Sequence, residues 1–175
     1  MIEVSVLRDE PWPDSIGWDE LAQSAVSAAV SATSYANLAT VDLLIEVAVK
    51  LAGNDDVQAL NRDYRGKDKP TNVLSFPQTA PDLLSSITAS ISGGAAGDDG
   101  EAILGDMILA WGVCSNEAQE KGINLQDHVF HLIVHGTLHL LGYDHIEDVE
   151  ASDMEALETQ ILAGFDIADP YGDRD

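Results

Sequence analysis

Apolar and polar residues alternate from Ile2 to Leu7, the period of a strand with one buried face. Leu21, Ala25, Ala28, Ala29 and Ala32 then recur at helical spacing, and Asp14 and Ser15 offer capping oxygens, so a helix is predicted from there to about Tyr35. Val41 to Val49 is rich in branched residues and reads as a second strand. Asn54 and Asp55 are candidate caps for a short helix through Leu60 to Tyr64. Asn72 to Phe76, closed by Pro77, is a third strand, and Ile103 to Trp111, with Gly105-Asp106 inside it, a fourth. Three further helices are predicted: about Ser115 to Lys121, stopped by Gly122; one beginning near Leu125; and Met154 to Leu162, before an acidic tail. Strands and helices interleave, which predicts an α+β fold with a mixed four-stranded sheet packed with helices.

The connection at 78–102 has few apolar anchors and ends in glycines and acids. A segment this long is expected to be a flexible insertion, with a short helical turn around Leu83 to Ile91. The remaining pattern supports a single domain over 1–175, and 45% apolar content suffices for a core. The first residues lack the basic start and long apolar run of a signal peptide, and no stretch is apolar enough for a membrane span. One cysteine, Cys114, excludes an internal disulfide and fits a reducing cytoplasm. As a metal ligand Cys114 ranks below its reading as a small buried hydrophobe.

A net charge of −23 argues at first against a polyanionic partner. The distribution modifies this: four of the eight basic residues, Arg62, Arg65, Lys67 and Lys69, fall within one short segment. Screening confines each charge to a Debye length of roughly 8–10 Å, so a local cationic patch can still hold phosphate. The acidity fits both adaptation to a salty cytoplasm and an ordinary acidic protein.

The stretch His135-Gly-Thr-Leu-His139-Leu-Leu-Gly142-Tyr143-Asp144-His145 is the most informative in the chain, which has five histidines in all. His135 and His139 lie one helical turn apart on one face, where two imidazoles can share a metal ion. Gly142 offers a helix stop that lets the chain fold back and deliver His145 to the same point. Three neutral nitrogen ligands suit zinc, one ion per chain, with a fourth position for water. His131 and His128 continue the same face, and spacing alone leaves them in contention. His145 is preferred because a turn brings a ligand from another direction, and His131 is expected to support the site. A zinc protease of the H-E-x-x-H type places its general base directly after the first histidine, where this chain has Gly136.

The pattern H-G-x-L-H-L-x-G-Y-D-H closely resembles the signature of the YbeY family of endoribonucleases, zinc metalloproteins of rRNA maturation. The resemblance extends to Leu60-Asn61-Arg62-Asp63-Tyr64-Arg65 with Pro70-Thr-Asn72-Val-Leu-Ser-Phe-Pro77, to Leu104-Gly105-Asp106-Met107-Ile108, and to Met154 to Glu158. It runs from about residue 41 to 165, with two departures: Asn72 stands where the family has aspartate, and the 78–102 connection is longer. It implies a zincin-like metal helix and a metal-dependent, single-strand-specific endoribonuclease acting in 16S rRNA 3′ end processing and ribosome quality control. Its partners would be single-stranded rRNA, the small ribosomal subunit and a basic ribosomal protein. In this reading His135, His139 and His145 bind zinc, His135 and Arg65 are catalytic, and Asp144 orients a ligand histidine. Arg62, Lys67 and Lys69 would touch RNA, and Asp106 would be structural. The competing reading of Arg65 is an exposed ion pair with Asp63 or Asp68, worth roughly 0–1 kcal/mol. Two other classes stay open: a zinc metallopeptidase-like hydrolase and a non-catalytic ribosome-assembly factor.

Overall fold

The computed structural model describes residues 1–39, 44–79, 101–143 and 148–171. Strands β1 (Ile2–Arg8), β2 (Leu44–Ala52), β3 (Val73–Pro77) and β4 (Glu101–Ala110) form one sheet in the order β1-β2-β4-β3. β1, β2 and β4 run parallel, and β3 pairs antiparallel with β4 at the edge. The helices are α1 (Trp18–Ser31), α2 (Asn54–Arg65), α3 (Trp111–Lys121), α4 (Leu125–Leu140) and α5 (Asp148–Ala163). The mixed four-stranded sheet expected from the sequence is present. The expected insertion and its helical turn lie almost wholly outside the described residues, as does the start of the expected second strand.

Alternation along β4 divides the core. Met107 and Leu109 join Ile45, Val47 and Val49 in the larger cluster, with α1 and α4. Ile108 and Ala110 face the other way, onto Val57 and Leu60 of α2 and Leu74 of β3. The sheet is thus covered by α4 and its neighbours on one face and by α2 on the other. Gly105 permits a close approach in this layer: a Cβ there would lie 2.5 Å from the Phe76 carbonyl oxygen and 2.5 Å from Leu140 Cδ2.

Four helix boundaries differ from the sequence expectation. α1 begins at Trp18, with Gly17 at its N-cap and no side-chain cap, rather than at Asp14 or Ser15. The preceding turn instead buries Trp12 completely, where its indole donates to the Ala52 carbonyl at 2.8 Å and meets Trp18 and Trp111 edge-on. The helix stops at Ser31 because the Thr33 hydroxyl bonds the Val30 carbonyl at 2.7 Å and accepts from Tyr35 N, drawing the backbone into a turn. α3 begins at Trp111, four residues earlier than expected. Its first turn is capped from a distance, since Asn54 Oδ1 accepts Val113 N–H at 3.2 Å, and Gly112 leaves room for that side chain. α5 likewise starts before Met154, the first residue of its apolar pattern.

Candidate metal centre

α4 carries the site, and its ends are defined locally. Asn124 caps the start, its Oδ1 accepting Asp127 N–H at 2.8 Å. At the other end Tyr143 N donates to Leu138 O and Gly142 N to His139 O, both at 3.0 Å, with Gly142 at φ 96°. This is a Schellman closure, and a positive φ there favours glycine. The helix stop expected at Gly142 is therefore present. Asp144 and His145, which follow it, lie outside the described residues.

Four histidines occupy one face of α4, but their hydrogen bonds separate them into two pairs. His128 Nε2 bonds Glu117 Oε1 at 3.0 Å. His131 Nε2 lies 3.5 Å from Glu158 Oε2. Both of these nitrogens point at carboxylates, as support within the fold requires. His135 and His139 differ: they are half-buried where the helix around them is buried. His139 Nδ1 bonds the Tyr143 carbonyl at 3.0 Å, and a carbonyl only accepts, so Nδ1 carries the proton. His135 Nδ1 bonds Glu158 Oε1, and an ionised carboxylate only accepts, which fixes the same tautomer. The two Nε2 lone pairs consequently converge, with the nitrogens 3.0 Å apart. Two lone pairs at that separation repel unless a cation or proton lies between them. A ligating histidine that donates its other nitrogen to a carboxylate or carbonyl is the common outer arrangement of a metal site. The donor set fits zinc. Among the described residues no group of three metal-binding side chains gathers, the third expected ligand being His145.

Glu158 is fully buried on α5, between Met154 and the pair Ile161 and Leu162. Burial alone would raise its pKa, but hydrogen bonds from His131, His135 and the Tyr171 hydroxyl bring it down to about 2. Glu158 lies within the Met154 to Glu158 motif, and the sequence alone assigns it no role. The available signal was an acidic residue in line with the apolar positions of an amphipathic helix.

Glu117 and Asn72 form a second polar group, beneath the start of α4. Asn72 Oδ1 accepts Val73 N–H at 2.7 Å, and its Nδ2 donates to Glu117 at 3.1 and 3.4 Å. Cys114 is wholly buried beside them, its thiol pushed up to about 12 by burial and by the charge on Glu117. A buried thiol with so high a pKa behaves as the small hydrophobe expected of it.

Arg65 ends α2, on the face of the sheet opposite α4, with the edge strand β3 between them. Arg65 is exposed and makes no ion pair or hydrogen bond with the described residues, while Asp63 pairs with Arg62 at 3.2 Å and Asp68 accepts from Gln58 at 3.0 Å. The competing ion-pair reading of Arg65 is thereby not realised among them. Lys67 and Lys69 are exposed on the loop that follows, which Asn61 holds through a 2.8 Å bond to the Lys69 carbonyl. On this same face Leu7, Ala48, Lys50, Tyr64, Phe76 and Asp106 line an open groove of about 380 Å³. Asp106 accepts a long bond from Gln78 at 3.4 Å there.

Gly136 packs against β4. A Cβ at this position would lie 2.4 Å from Met107 Sδ, so a glutamate could enter only by displacing a core methionine. The position at which an H-E-x-x-H peptidase carries its base is here given to helix–sheet packing.

The family model described as Endoribonuclease YbeY matches residues 13–166. A protein of Sphingopyxis alaskensis called Endoribonuclease YbeY is 52% identical over 175 residues and covers 100% of both chains. One of the same name from Rhizorhabdus wittichii is 53% identical over 171 residues, covering 98% of this chain and 97% of its own. The solution structure of TM1509 from Thermotoga maritima superimposes with a TM-score of 0.56 at 22% identity, covering 100% of this chain and 97% of that one, which shows a shared fold. With half its residues shared end to end with such relatives, and a family match reaching from before α1 to beyond α5, the chain belongs to the Endoribonuclease YbeY family.

Proposed function

We propose that this chain is a zinc-dependent, single-strand-specific endoribonuclease of rRNA maturation, working in the cytoplasm on the small ribosomal subunit. The observation that carries the reading is the convergence of His135 Nε2 and His139 Nε2 at 3.0 Å, each fixed through Nδ1 by an acceptor. His145 is the third ligand in this proposal and Asp144 its orienting neighbour. His135, His139 and His145 would hold the zinc, which would supply Lewis-acid chemistry to a phosphodiester.

The protein's own residues do the rest. Glu158 and the Tyr143 carbonyl hold both imidazoles in the metal-binding tautomer. The partial exposure of His135 and His139 admits a strand to an otherwise buried helix. Arg62, Arg65, Lys67 and Lys69 lie across the β3 edge and would grip the backbone of a strand passing over it, where the planar fork of Arg65 suits a phosphate best. A chain of net charge −23 repels free RNA, so a basic ribosomal protein is the proposed partner that brings substrate and enzyme together.

Metal analysis combined with cleavage of a single-stranded RNA tests the reading. We expect one zinc per chain, with metal and cleavage lost together in His135→Ala, His139→Ala and His145→Ala. Full metal content in His145→Ala would remove it from the ligand set, and cleavage by the metal-free chain would overturn the zinc mechanism.

A further inference from the structure

Glu158 is held from two sides. Oε1 accepts from His135, while Oε2 accepts from the hydroxyl of Tyr171 and lies 3.5 Å from His131 Nε2. Tyr171 stands outside the residues 13–166 matched by the family model.

The segment after α5 is built to bring the phenol to this point. Phe165 N and Ile167 N both donate to the Leu162 carbonyl at 3.0 Å, with Asp166 in the left-handed region at φ 59°, and the chain doubles back. Ile167 packs onto the core. Asp169 Oδ1 then accepts from the Thr159 hydroxyl at 3.1 Å and from Tyr171 N at 2.8 Å, fastening the returning strand to α5. The tyrosine ring ends edge-on to His131, centroids 5.7 Å apart and planes at 90°.

A buried carboxylate aims an imidazole only as well as the carboxylate is itself aimed. His131, at 3.5 Å, is a long contact for that task. The hydroxyl is the shorter of the two contacts to Oε2, and it fixes the rotation of the carboxylate that presents Oε1 to His135. We infer that Tyr171 is a positioning residue for the metal centre, acting through Glu158 to hold His135 Nε2 toward His139. This inference rests on the reading of His135 as a zinc ligand. Loss of an outer partner of a metal site commonly weakens metal binding 10–100-fold, and a residue one bond further out belongs near the lower end.

The test compares the full-length wild type, Tyr171→Phe, Asp169→Ala and His135→Ala, each offered zinc. Bound zinc is counted, and its release into excess chromogenic chelator is timed. The visible spectrum of the cobalt-substituted protein reports the ligand geometry, and thermal melting is recorded with and without metal. We expect Tyr171→Phe to hold one zinc but release it about tenfold faster, with a changed cobalt spectrum, and its metal-free melt to fall because a buried carboxylate loses a donor. Asp169→Ala should shift release in the same direction by less. Wild-type release and spectrum in Tyr171→Phe, with zinc absent from His135→Ala, would overturn the inference and leave the metal reading standing. A lowered metal-free melt with wild-type release would assign the tyrosine to folding alone and overturn it as well. Absence of zinc from the wild type would remove both.

Discussion

The Asn72 amide donates to both oxygens of Glu117, at 3.1 and 3.4 Å, while its own carbonyl oxygen takes Val73 N–H at the first residue of β3. Glu117 in turn accepts from the buried His128 at 3.0 Å. The edge strand, α3 and the start of the histidine helix thus meet in one hydrogen-bonded group. An aspartate at position 72 would set a second carboxylate against Glu117. We expect Asn72→Asp to destabilise the fold by about 1–3 kcal/mol at neutral pH, since it removes a donor and adds like charge. Adding Glu117→Gln should recover most of the loss, since the amide donates where the carboxylate repelled. Denaturant unfolding of the two single variants and the double variant measures that coupling.

Glu117 also makes stability depend on pH. Burial pushes its pKa up, but hydrogen bonds from His128 and Asn72, with the charges of His128 and Lys121, leave it below the ordinary carboxylate value. A folded-state pKa below the unfolded one contributes stability above the unfolded pKa, lost as pH falls through the folded value. Glu117→Gln should therefore be less stable than wild type at pH 7, and the gap should close in acid below the carboxylate range. Unfolding curves of both proteins across that range measure it, and a gap constant with pH would exclude the ionised pair as its source.

Gly105→Ala should cost about 1–3 kcal/mol through overpacking. The new Cβ meets a backbone oxygen of Phe76 as well as Leu140, and a carbonyl cannot rotate away as a side chain would. Calorimetry of the variant gives the value. A wild-type melting temperature would show that β3 shifts freely at this edge.

Arg65→Ala should reduce RNA cleavage strongly while leaving thermal stability nearly unchanged, because the side chain is exposed and makes no ion pair with the described residues. A large fall in melting temperature with cleavage retained would instead make it a folding residue.

Binding to an isolated single-stranded RNA should be weak and fall further as salt rises, because only the segment 62–69 concentrates positive charge on a chain of net −23. Small ribosomal subunits should bind more tightly across the same salt series. Equal affinity for both at every salt would remove the need for a protein partner.

The sequence by itself determined what depends on neighbours along the chain. Alternation in β1, the spacing of His135 and His139 and the stops at Gly122 and Gly142 are all set within a few residues, and each has its expected place. The order of motifs also carried the family. Tertiary structure decided what depends on residues far apart. α3 starts at Trp111 because Asn54 caps it across the fold, and α1 starts late because Trp12 is drawn into the core beneath it. His135 and His139 are told apart from His128 by their partners, since His128 turns Nε2 to Glu117 of another helix while His135 and His139 meet acceptors through Nδ1. Glu158 reads as one more surface acid of an acidic chain until packing removes it from water. A carboxylate stays ionised in such a place only where donors meet it, and the donors to Glu158, His131, His135 and Tyr171, come from 13 to 27 residues away along the chain.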